Sequence, residues 1–419
     1  MIKILQVRNV DSFVESRRQK TSEKDKKTVQ SILNDVRKNG DSAVKKYERK
    51  FNGRKTSQLR VSAKEIKEAQ SKISWQEVTA LTDMAYNLSI EEAIPGPKYK
   101  YRNIRGYRKL VPIPSVGCYI PGGQAKYPSS AIMSVVPAAI AGVKRIVVIS
   151  PPGRDGKLDP STIVAAKRCG ATEIYKVGGA QAIGALAYGT KSIPKVDKIV
   201  GPGGKFVSIA KSLVSDQTAV DMVAGPTELG IIADTSSDPE LVALDLISQA
   251  EHSKDTMCFV ITQSKTMAKQ IQRSLKKLIP GTERSSIIKE SISKNGFIAV
   301  CRNQNEMIEF ANRIAPEHLE LMVKNARSLS KKITGAGLVL IGKNTPSAAS
   351  DYLLGTNHIL PTNGFGRTRG GLSVLDFLKI QTVVESKKST LKEISDSLKT
   401  LTDAEDLPNH YKAVKRRLD

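Results

Sequence analysis

The sequence predicts an α/β protein with two related Rossmann-like lobes, preceded by a helical region and followed by a helical tail. From about residue 110 onwards, apolar segments of strand length alternate with segments of helix length, which is the pattern of a parallel sheet with crossover helices. The pattern occurs twice, and each time an Asp-Pro pair, Asp159-Pro160 or Asp238-Pro239, stands where the crossover helix begins. With 419 residues, the chain is also longer than one typical domain.

Residues 1–110 are predicted to form the helical region and to pack on the second, catalytic lobe. Ser62 and Glu65 have the spacing of a capping box, so a helix should begin after Ser62. The segment Pro95-Gly96-Pro97 disfavours helix and should end the helical part of this region. An earlier helix over residues 24–38 is expected to carry four apolar side chains on one face: Val29, Ile32, Leu33 and Val36.

The first lobe is predicted over residues 111–226. It should contain the apolar strand that precedes the Asp159-Pro160 pair and two further strand–helix units that contain glycine-rich turns. The predicted strands are residues 145–150, 173–177 and 198–200, and the predicted helices are 163–168, 180–188 and a segment that begins at Lys205.

The second lobe is predicted over residues 227–375 and repeats the same order, with strands at 229–233 and 257–261 around the helix that Asp238-Pro239 begins. Apolar segments at 296–300 and 337–341 suggest a third, similar unit. Residues 376–419 form the predicted tail, read from Thr390 onwards as an amphipathic helix with Leu391, Ile394, Leu398 and Leu401 on one face.

The net charge of +25 raises the question of nucleic-acid binding. Residues 98–102 and 107–109 interleave tyrosines with cations, as single-strand binding surfaces do. The same segment also alternates like a pair of strands around residues 103–106, and the remaining positive charge is spread along the chain. A basic surface is therefore the preferred interpretation, and a nucleic-acid-binding protein stays the alternative.

Two other classes of protein are disfavoured. The longest apolar runs, such as residues 146–149, are far shorter than the roughly 20 residues of a membrane span, and the N-terminus lacks the apolar stretch of a signal peptide, so we expect a cytoplasmic protein. The four cysteines form no Cys-x-x-Cys pair, which argues against a cysteine zinc site and against a disulfide framework. We expect reduced and mostly buried thiols at Cys118, Cys169, Cys258 and Cys301.

All four histidines, His252, His318, His358 and His410, stand in polar or glycine-rich surroundings, which favours a shared site. Gln249 lies three residues before His252 at a predicted helix end, so the two side chains share a face and offer an oxygen and a nitrogen to one metal. Together with Asp351, which begins a glycine-containing loop, they suit Zn²⁺ among several divalent metals.

Glu317-His318 is the candidate proton-handling pair. Pro316 before it is expected to begin a helix, whose N-terminus would favour ionised Glu317. Adjacent side chains on a helix diverge, so the two would act on one substrate as separate proton carriers. A zinc hydrolase that uses either residue as the base for a metal-bound water is the alternative reading.

Three glycine-rich turns, at residues 121–123, 178–179 and 201–204, are candidates for close backbone contact with a phosphate. None of them has the dinucleotide fingerprint G-x-G-x-x-G. At the third turn, Phe206 stands where the last glycine of the fingerprint would be. These motifs by themselves do not name a coenzyme.

Six motifs, in this order and spread over nearly the whole chain, resemble the histidinol dehydrogenase family. They are Gly-Cys-Tyr-Ile-Pro-Gly-Gly (117–123), Val-Gly-Gly-Ala-Gln-Ala-Ile (177–183), Ala-Gly-Pro-Thr-Glu (224–228), Ser-Gln-Ala-Glu-His (248–252), Ala-Pro-Glu-His-Leu (315–319) and Gly-Thr-Asn-His-Ile-Leu-Pro (355–361). The resemblance implies oxidation of L-histidinol to L-histidine, the last step of histidine biosynthesis, in two NAD⁺-dependent steps through an aldehyde.

The resemblance also implies roles for individual residues. In the family mechanism His318 takes the alcohol proton while hydride leaves for NAD⁺, and Glu317 then activates the water that attacks the aldehyde. NAD contacts map onto Tyr119 and Gln181. One zinc ion per subunit would be held by Gln249, His252, Asp351 and His410. Substrate contacts map onto Thr227, Gln249, His252, His318, Asp351, Glu405 and His410.

The family arrangement further implies an intertwined homodimer, in which the tail with Glu405 and His410 completes the site of the neighbouring subunit. The chain departs from the family pattern at two positions. Thr227 stands where serine is usual and keeps the hydroxyl, whereas Gly204 stands where an asparagine is expected and removes a side chain near the coenzyme. His358 is assigned either a structural role or contact with a metal ligand and not with the metal itself.

Overall fold

The computed structural model describes residues 1–6, 9–18, 22–53, 58–91, 98–101, 104–122, 126–222 and 225–419. The chain forms two compact units. The larger comprises residues 1–92 and 113–377, and the smaller comprises residues 93–112 and 378–419. The proline-glycine segment at 95–97, expected to end the N-terminal helical region, lies outside the described residues. None of the described helices is long and apolar enough to cross a membrane.

The N-terminal part of the chain is mostly helical, as expected. The helix predicted over residues 24–38 is confirmed, and its four apolar residues are buried. Ser62 and Glu65 form both hydrogen bonds of the predicted capping box. The elements are β1 (Lys3–Leu5), α1 (Val10–Arg17), α2 (Glu23–Asn39), α3 (Asp41–Asn52), α4 (Ala63–Gln70) and α5 (Trp75–Glu91), followed by β2 (Lys98–Tyr101) and β3 (Ile104–Pro112) of the smaller unit.

The first lobe is a parallel five-stranded sheet with helices between its strands, and the predicted strand–helix alternation is confirmed. Its strands are β4 (Ser115–Tyr119), β5 (Arg145–Ser150), β6 (Glu173–Lys176), β7 (Lys198–Val200) and β8 (Ala219–Val220), in the spatial order β6-β5-β4-β7-β8. Its helices are α6 (Pro128–Ile140), α7 (Pro160–Cys169), α8 (Gly179–Tyr188) and α9 (Lys205–Val214).

The second lobe is a parallel six-stranded sheet in the spatial order β1-β11-β10-β9-β12-β13. Both apolar segments of the expected third unit are strands of this sheet, β11 and β13. The strands are β9 (Glu228–Ala233), β10 (Met257–Thr262), β11 (Phe297–Val300), β12 (His318–Met322) and β13 (Leu338–Ile341); the helices are α10 (Pro239–Ala250), α11 (Lys265–Leu278), α12 (Ser285–Lys294), α13 (Gln304–Ile314), α14 (Ala326–Ser330) and α15 (Ser347–Ser350).

The N-terminal elements are divided between the two lobes instead of packing on the second lobe alone. β1 pairs with β11 and α1 contacts α13, whereas α2 packs on α8 and α9 of the first lobe. Gly184 of α8 permits this close approach, because a Cβ at this position would lie 3.1 Å from Leu33. An amphipathic pattern predicts that a helix buries one face, but it does not tell which sheet covers that face.

The smaller unit combines an antiparallel sheet with the tail. Its sheet has the order β14-β3-β2, with β14 at Leu378–Glu385, and two helices follow, α16 (Lys388–Ala404) and α17 (Pro408–Lys415). The predicted strand pair is confirmed, because β2 and β3 pair antiparallel from Tyr101 with Ile104 onwards, and Gly106 lies within β3. The tail is two helices and not one, because Asp406 adopts a left-handed backbone conformation and Pro408 begins α17.

Candidate active site

A cavity of about 650 Å³ lies in the larger unit and is lined by residues of both lobes. This volume is within the usual range for small-molecule sites. Six of the predicted site residues line it together: Thr227, Gln249, His252, Glu317, His318 and Asp351. Segments separated by more than a hundred residues in sequence therefore meet in one place.

The first lobe contributes the carboxyl edge of its sheet to this cavity. Pro121 follows β4, and Pro202 and Gly203 follow β7, and all three residues line the cavity. β4 and β7 are neighbours where the strand order reverses direction, between β5-β6 on one side and β8 on the other. Doubly wound α/β sheets bind ligands at such a switch point. The first turn of α6, with Ser129 and Ser130, lies at the same edge.

The second lobe contributes the amino edge of its sheet. Thr227 precedes β9, and His318 is the first residue of β12, the strand beside it. Gln249 is in the last turn of α10, and His252 follows that helix, which explains how two residues three apart both face the cavity. Asp351 directly follows α15.

The expected helix start at Pro316 is wrong, since Glu317 and His318 begin a strand. α13 ends at Ile314, and Ala315 adopts a left-handed conformation at its C-terminal cap. Proline is common directly after a helix as well as at its start. β12 pairs on both sides, with β9 and β13, and all five of its residues are buried. No helix N-terminus favours ionised Glu317 at this position; burial governs its charge instead.

His318 is held by partners on both ring nitrogens. Nε2 lies 3.2 Å from Asp351 Oδ1, and Nδ1 lies 3.4 Å from the backbone carbonyl of Glu228 and 3.9 Å from Glu317 Oε2. Burial by itself lowers the pKa of His318, but the hydrogen bond to Asp351 and the charge of Glu317 outweigh it and raise the pKa to about 9. Burial raises the pKa of Asp351, yet its hydrogen bond to His318 produces a net lowering.

Glu317 and Glu228 form a second buried pair at the start of the same strands. The backbone N–H of Glu228 donates to Glu317 Oε2 at 2.9 Å, and the N–H of Glu317 donates to Glu228 Oε2 at 3.3 Å. Burial raises the pKa of Glu317 to about 8 and that of Glu228 to about 7. A carboxyl group with a pKa near neutrality can both release and accept a proton at physiological pH, which is the property of a general base.

The candidate metal ligands of the larger unit are Gln249, His252 and Asp351, all at the wall of one cavity. Within the described residues, no group of three or more His, Cys, Asp or Glu side chains is placed to hold a metal ion. Gln249 is 1% exposed, and its Nε2 has no hydrogen-bond partner among the described residues. An unpartnered buried amide beside a histidine and a carboxylate fits an oxygen and nitrogen donor set that zinc accepts. His410 and Glu405 lie in the smaller unit, and their roles stay predictions.

The predicted NAD residues lie beneath the turn at residues 178–179. Tyr119 accepts a hydrogen bond from the N–H of Gly179 at 3.1 Å, and Gln181 Nε2 donates to Glu48 Oε1 at 2.8 Å. Glu48, from α3, also accepts the N–H of Gly178. Among the described residues that line the cavity, neither Tyr119 nor Gln181 is present. Their contact with NAD stays a prediction.

The third glycine-rich turn faces the cavity and is anchored from behind. Asp221 accepts the N–H of Gly201 at 2.8 Å and forms a buried ion pair with Lys211, whose ammonium also donates to the carbonyl of Gly201. Gly204 caps α9 with φ −64°, and a Cβ there would meet open space. Packing therefore does not require glycine at position 204, where the resemblance led us to expect asparagine.

His358 lies against the backbone of Asp351, and its supporting role stays a prediction. Its Nδ1 is 2.8 Å from the carbonyl oxygen of Asp351, and its Nε2 is 3.3 Å from Ser130 Oγ. Burial lowers the pKa of His358, so the neutral ring is favoured. A neutral imidazole that donates from Nδ1 to the carbonyl fits both contacts.

Several buried polar residues of the site had no role in the sequence interpretation. Glu228 stands in a quoted motif, but its contact with Glu317 depends on the pairing of β9 with β12. Glu320 is an acidic residue within the apolar strand β12, and that is a sequence signal, because a buried carboxylate needs a partner. Ser347 has no such signal; it gains its contacts only when α15 is placed beside α10.

The comparisons with known proteins agree with the resemblance. A family model described as histidinol dehydrogenase matches residues 15–418. A histidinol dehydrogenase of Methanocaldococcus jannaschii is 42% identical over 93% of this chain and 92% of the relative, and one of Methanococcus maripaludis is 44% identical over 94% and 93%. The crystal structure of histidinol dehydrogenase from Elizabethkingia anophelis superposes with a TM-score of 0.94 at 33% identity, covering 100% of this chain and 98% of that chain.

Glu228→Gln should weaken the pH dependence of stability. Because the pKa of Glu228 is raised from 4.5 to about 7, the folded chain holds a proton that the unfolded chain releases between these values, and the free energy of unfolding falls as pH rises through this window. The substitution should reduce this slope by up to about 1.4 kcal/mol per pH unit. Urea unfolding between pH 5 and pH 8, with a chelator present, measures it. Equal slopes in both proteins would show that Glu228 is ionised in the folded chain.

Proposed function

The chain belongs to the histidinol dehydrogenase family, and from that premise we propose that it oxidises L-histidinol to L-histidine in two NAD⁺-dependent steps with one zinc ion per subunit. The observation that carries the proposal is the meeting of Glu317 and His318 with three oxygen and nitrogen donors in one cavity. That this enzyme works in the cytoplasm stays a prediction from the sequence.

We assign the zinc ion to Gln249, His252 and Asp351, with His410 as the fourth ligand. When bound, zinc supplies a fixed positive charge that orients the imidazole and amine of the substrate. Thr227 lines the same cavity and offers a hydroxyl to the substrate. Glu405 is proposed to hold the substrate ammonium.

We assign NAD⁺ to the carboxyl edge of the first sheet, where it would accept the hydride in each step. The strand order of the first lobe supports this choice, because Pro121, Pro202 and Gly203 follow the two strands at the switch point. Tyr119 and Gln181 lie behind the neighbouring turn at 178–179. A position on the opposite side of the cavity from the second sheet would place the coenzyme across from His318.

In the first step, His318 takes the proton of the alcohol as the carbon loses hydride. A base must be neutral to accept a proton, and the negative charge of Asp351 now favours protonated His318. A ligand role for Asp351 would share this charge with the metal, which lowers the pKa of His318 and populates the neutral ring. The alcohol proton is transferred to the imidazole of His318, and the carbonyl of Glu228 keeps this ring oriented.

In the second step, Glu317 takes a proton from the water that attacks the aldehyde. The resulting hydrate anion loses hydride and one further proton to become the carboxylate. Glu317 is suited to this task because its pKa of about 8 makes it a stronger base than an exposed carboxylate. Its hydrogen bond from the N–H of Glu228 fixes the carboxylate beside His318.

The overall reaction gives the first prediction from this proposal. With histidinol and NAD⁺ supplied, NADH absorbance should rise, with two NADH formed for each histidine produced. Removal of zinc by a chelator should abolish the rise, and added zinc should restore it. A zinc hydrolase would form no NADH under these conditions. Full activity in protein shown by elemental analysis to contain no metal would contradict the zinc assignment.

The separate roles of Glu317 and His318 give the second prediction from this proposal. Glu317→Gln should lower the rate of histidine formation by about 10²- to 10⁴-fold, because the amide cannot take a proton from water. Supplying the aldehyde directly should not rescue this variant. The comparison variant, His318→Gln, should be impaired with histidinol but less so with the aldehyde. A normal rate of aldehyde oxidation by Glu317→Gln would rule out its role in water activation.

We further propose that the active enzyme is a homodimer in which the tail of one subunit completes the site of the other. Two observations support it. First, the larger unit supplies one histidine, His252, and one carboxylate, Asp351, to the proposed zinc site. No group of three or more such side chains is placed for a metal among the described residues, so a further ligand from a second chain would complete the site. The smaller unit exposes several large apolar side chains that a second chain would cover: Ile380, Val384, Leu401 and Leu407.

Mixing two inactive variants tests this arrangement. His318→Ala and His410→Ala should regain about a quarter of wild-type activity after co-refolding, because about half of randomly paired dimers are mixed and each mixed dimer has one intact site. Each variant refolded alone is the control and should stay inactive. If no activity returns although mixed dimers are present, each site is built from a single chain.

A further inference from the structure

The amide of Gln249 has one partner and one unused donor. Its Oε1 accepts a hydrogen bond from the Ser347 hydroxyl at 3.2 Å, while its Nε2 has no partner among the described residues. Both side chains are essentially inaccessible to solvent, at 1% and 0% exposure. A buried N–H group without an acceptor costs stability, so this arrangement of the amide is unfavourable as it stands.

Rotating the Gln249 amide by half a turn gives Nε2 an acceptor. The oxygen and nitrogen of a glutamine amide are nearly equal in size, so exchanging them keeps the packing around the side chain unchanged. After the exchange, Nε2 donates to the Ser347 hydroxyl, which can accept as well as donate. Oε1 then takes the position where Nε2 has no partner. Zinc binds amide oxygen and not an amide NH₂ group, so this second orientation is the one that suits a ligand.

Ser347 is itself held firmly enough to select an orientation. Its backbone N–H donates to Glu320 Oε1 at 2.7 Å, and its carbonyl accepts the N–H of Asp351 at 2.9 Å and the hydroxyl of Ser350 at 2.8 Å. Ser347 therefore connects Gln249 on α10 with Asp351 at the end of α15. Substitution of a residue that orients a metal ligand in this way typically weakens metal binding by about 10- to 100-fold.

We propose that Ser347 is a positioning residue for the zinc site: its hydroxyl fixes the amide of Gln249 so that Oε1 faces the metal, and Glu320 anchors the backbone of Ser347 for this purpose. The inference rests on the zinc site of the proposed function. It adds a residue that acts through Gln249 and does not touch zinc or the substrate.

Zinc affinity tests the inference without relying on turnover. Competition with a chromophoric chelator gives the zinc dissociation constant of the wild-type protein and of two variants. Ser347→Ala should weaken zinc binding by about 10- to 100-fold. Ser350→Ala is the matched control, because Ser350 is equally buried in the same helix but its hydroxyl donates to the backbone carbonyl of Ser347 and not to Gln249. The N–H of Asp351 still holds that carbonyl in the variant, so Ser350→Ala should bind zinc like the wild type. Thermal unfolding with a chelator present checks that both variants fold.

A second pair of variants separates orientation of the amide from general packing. In Gln249→Glu the side chain ends in two equivalent oxygens, so either can face the metal. Adding Ser347→Ala to this variant should therefore cost much less zinc affinity than Ser347→Ala costs in the wild-type protein. The visible spectrum of the cobalt-substituted protein should change with Ser347→Ala and not with Ser350→Ala.

The results of these measurements separate the role of Ser347 from the existence of the zinc site itself. If the wild-type protein binds no zinc, both fail. If the wild-type protein binds zinc and Ser347→Ala binds it equally well, the inference alone is overturned. Equal weakening by Ser347→Ala and Ser350→Ala, or an equal loss in the Gln249→Glu background, also overturns it, because the effect would then come from the packing of α15.

Discussion

Burial of ionisable groups at the amino ends of β9 and β12 is the constraint on which the site depends. A charge removed from water is costly unless it is paired or neutralised. Here His318 pairs with Asp351, and the pKa values of Glu317 and Glu228 rise toward neutrality. The same desolvation that threatens the fold therefore produces groups that exchange protons near physiological pH. Parallel pairing of the two strands holds these groups together.

The two lobes present opposite edges of their sheets to one cavity. The first lobe offers the carboxyl ends of its strands, the usual ligand edge of such a fold, with glycine and proline turns that allow close backbone contact. The second offers amino ends, where side chains of the strands and the end of α10 face inward. The proposed oxidation suits this division, with the proposed coenzyme site at backbone turns on one side and the candidate proton-handling side chains on the other.

Much of the architecture followed from local signals. The Asp-Pro caps at 159–160 and 238–239, the capping box at Ser62 and the apolar strands were predicted because each depends on residues within a few positions. The errors lie where a local signal is ambiguous. Pro316 is compatible with a helix start and with the residue after a helix, and only the neighbours of β12 decide between them. The N-terminal helices were likewise expected on one lobe and contact both.

The sequence by itself determined the fold class, the family and the candidate residues Glu317, His318, Gln249, His252 and Asp351, because motifs and periodicity are local and carry side-chain chemistry directly. Only the tertiary structure decided that burial, and not a helix dipole, sets the pKa of Glu317. It also decided that Glu317 accepts a hydrogen bond from the N–H of Glu228 and that Ser347 is hydrogen-bonded to Gln249. These facts depend on desolvation and on contacts between segments about 90 residues apart or more. No periodicity in the chain encodes such distances, since they arise when β9, β12, α10 and α15 pack together.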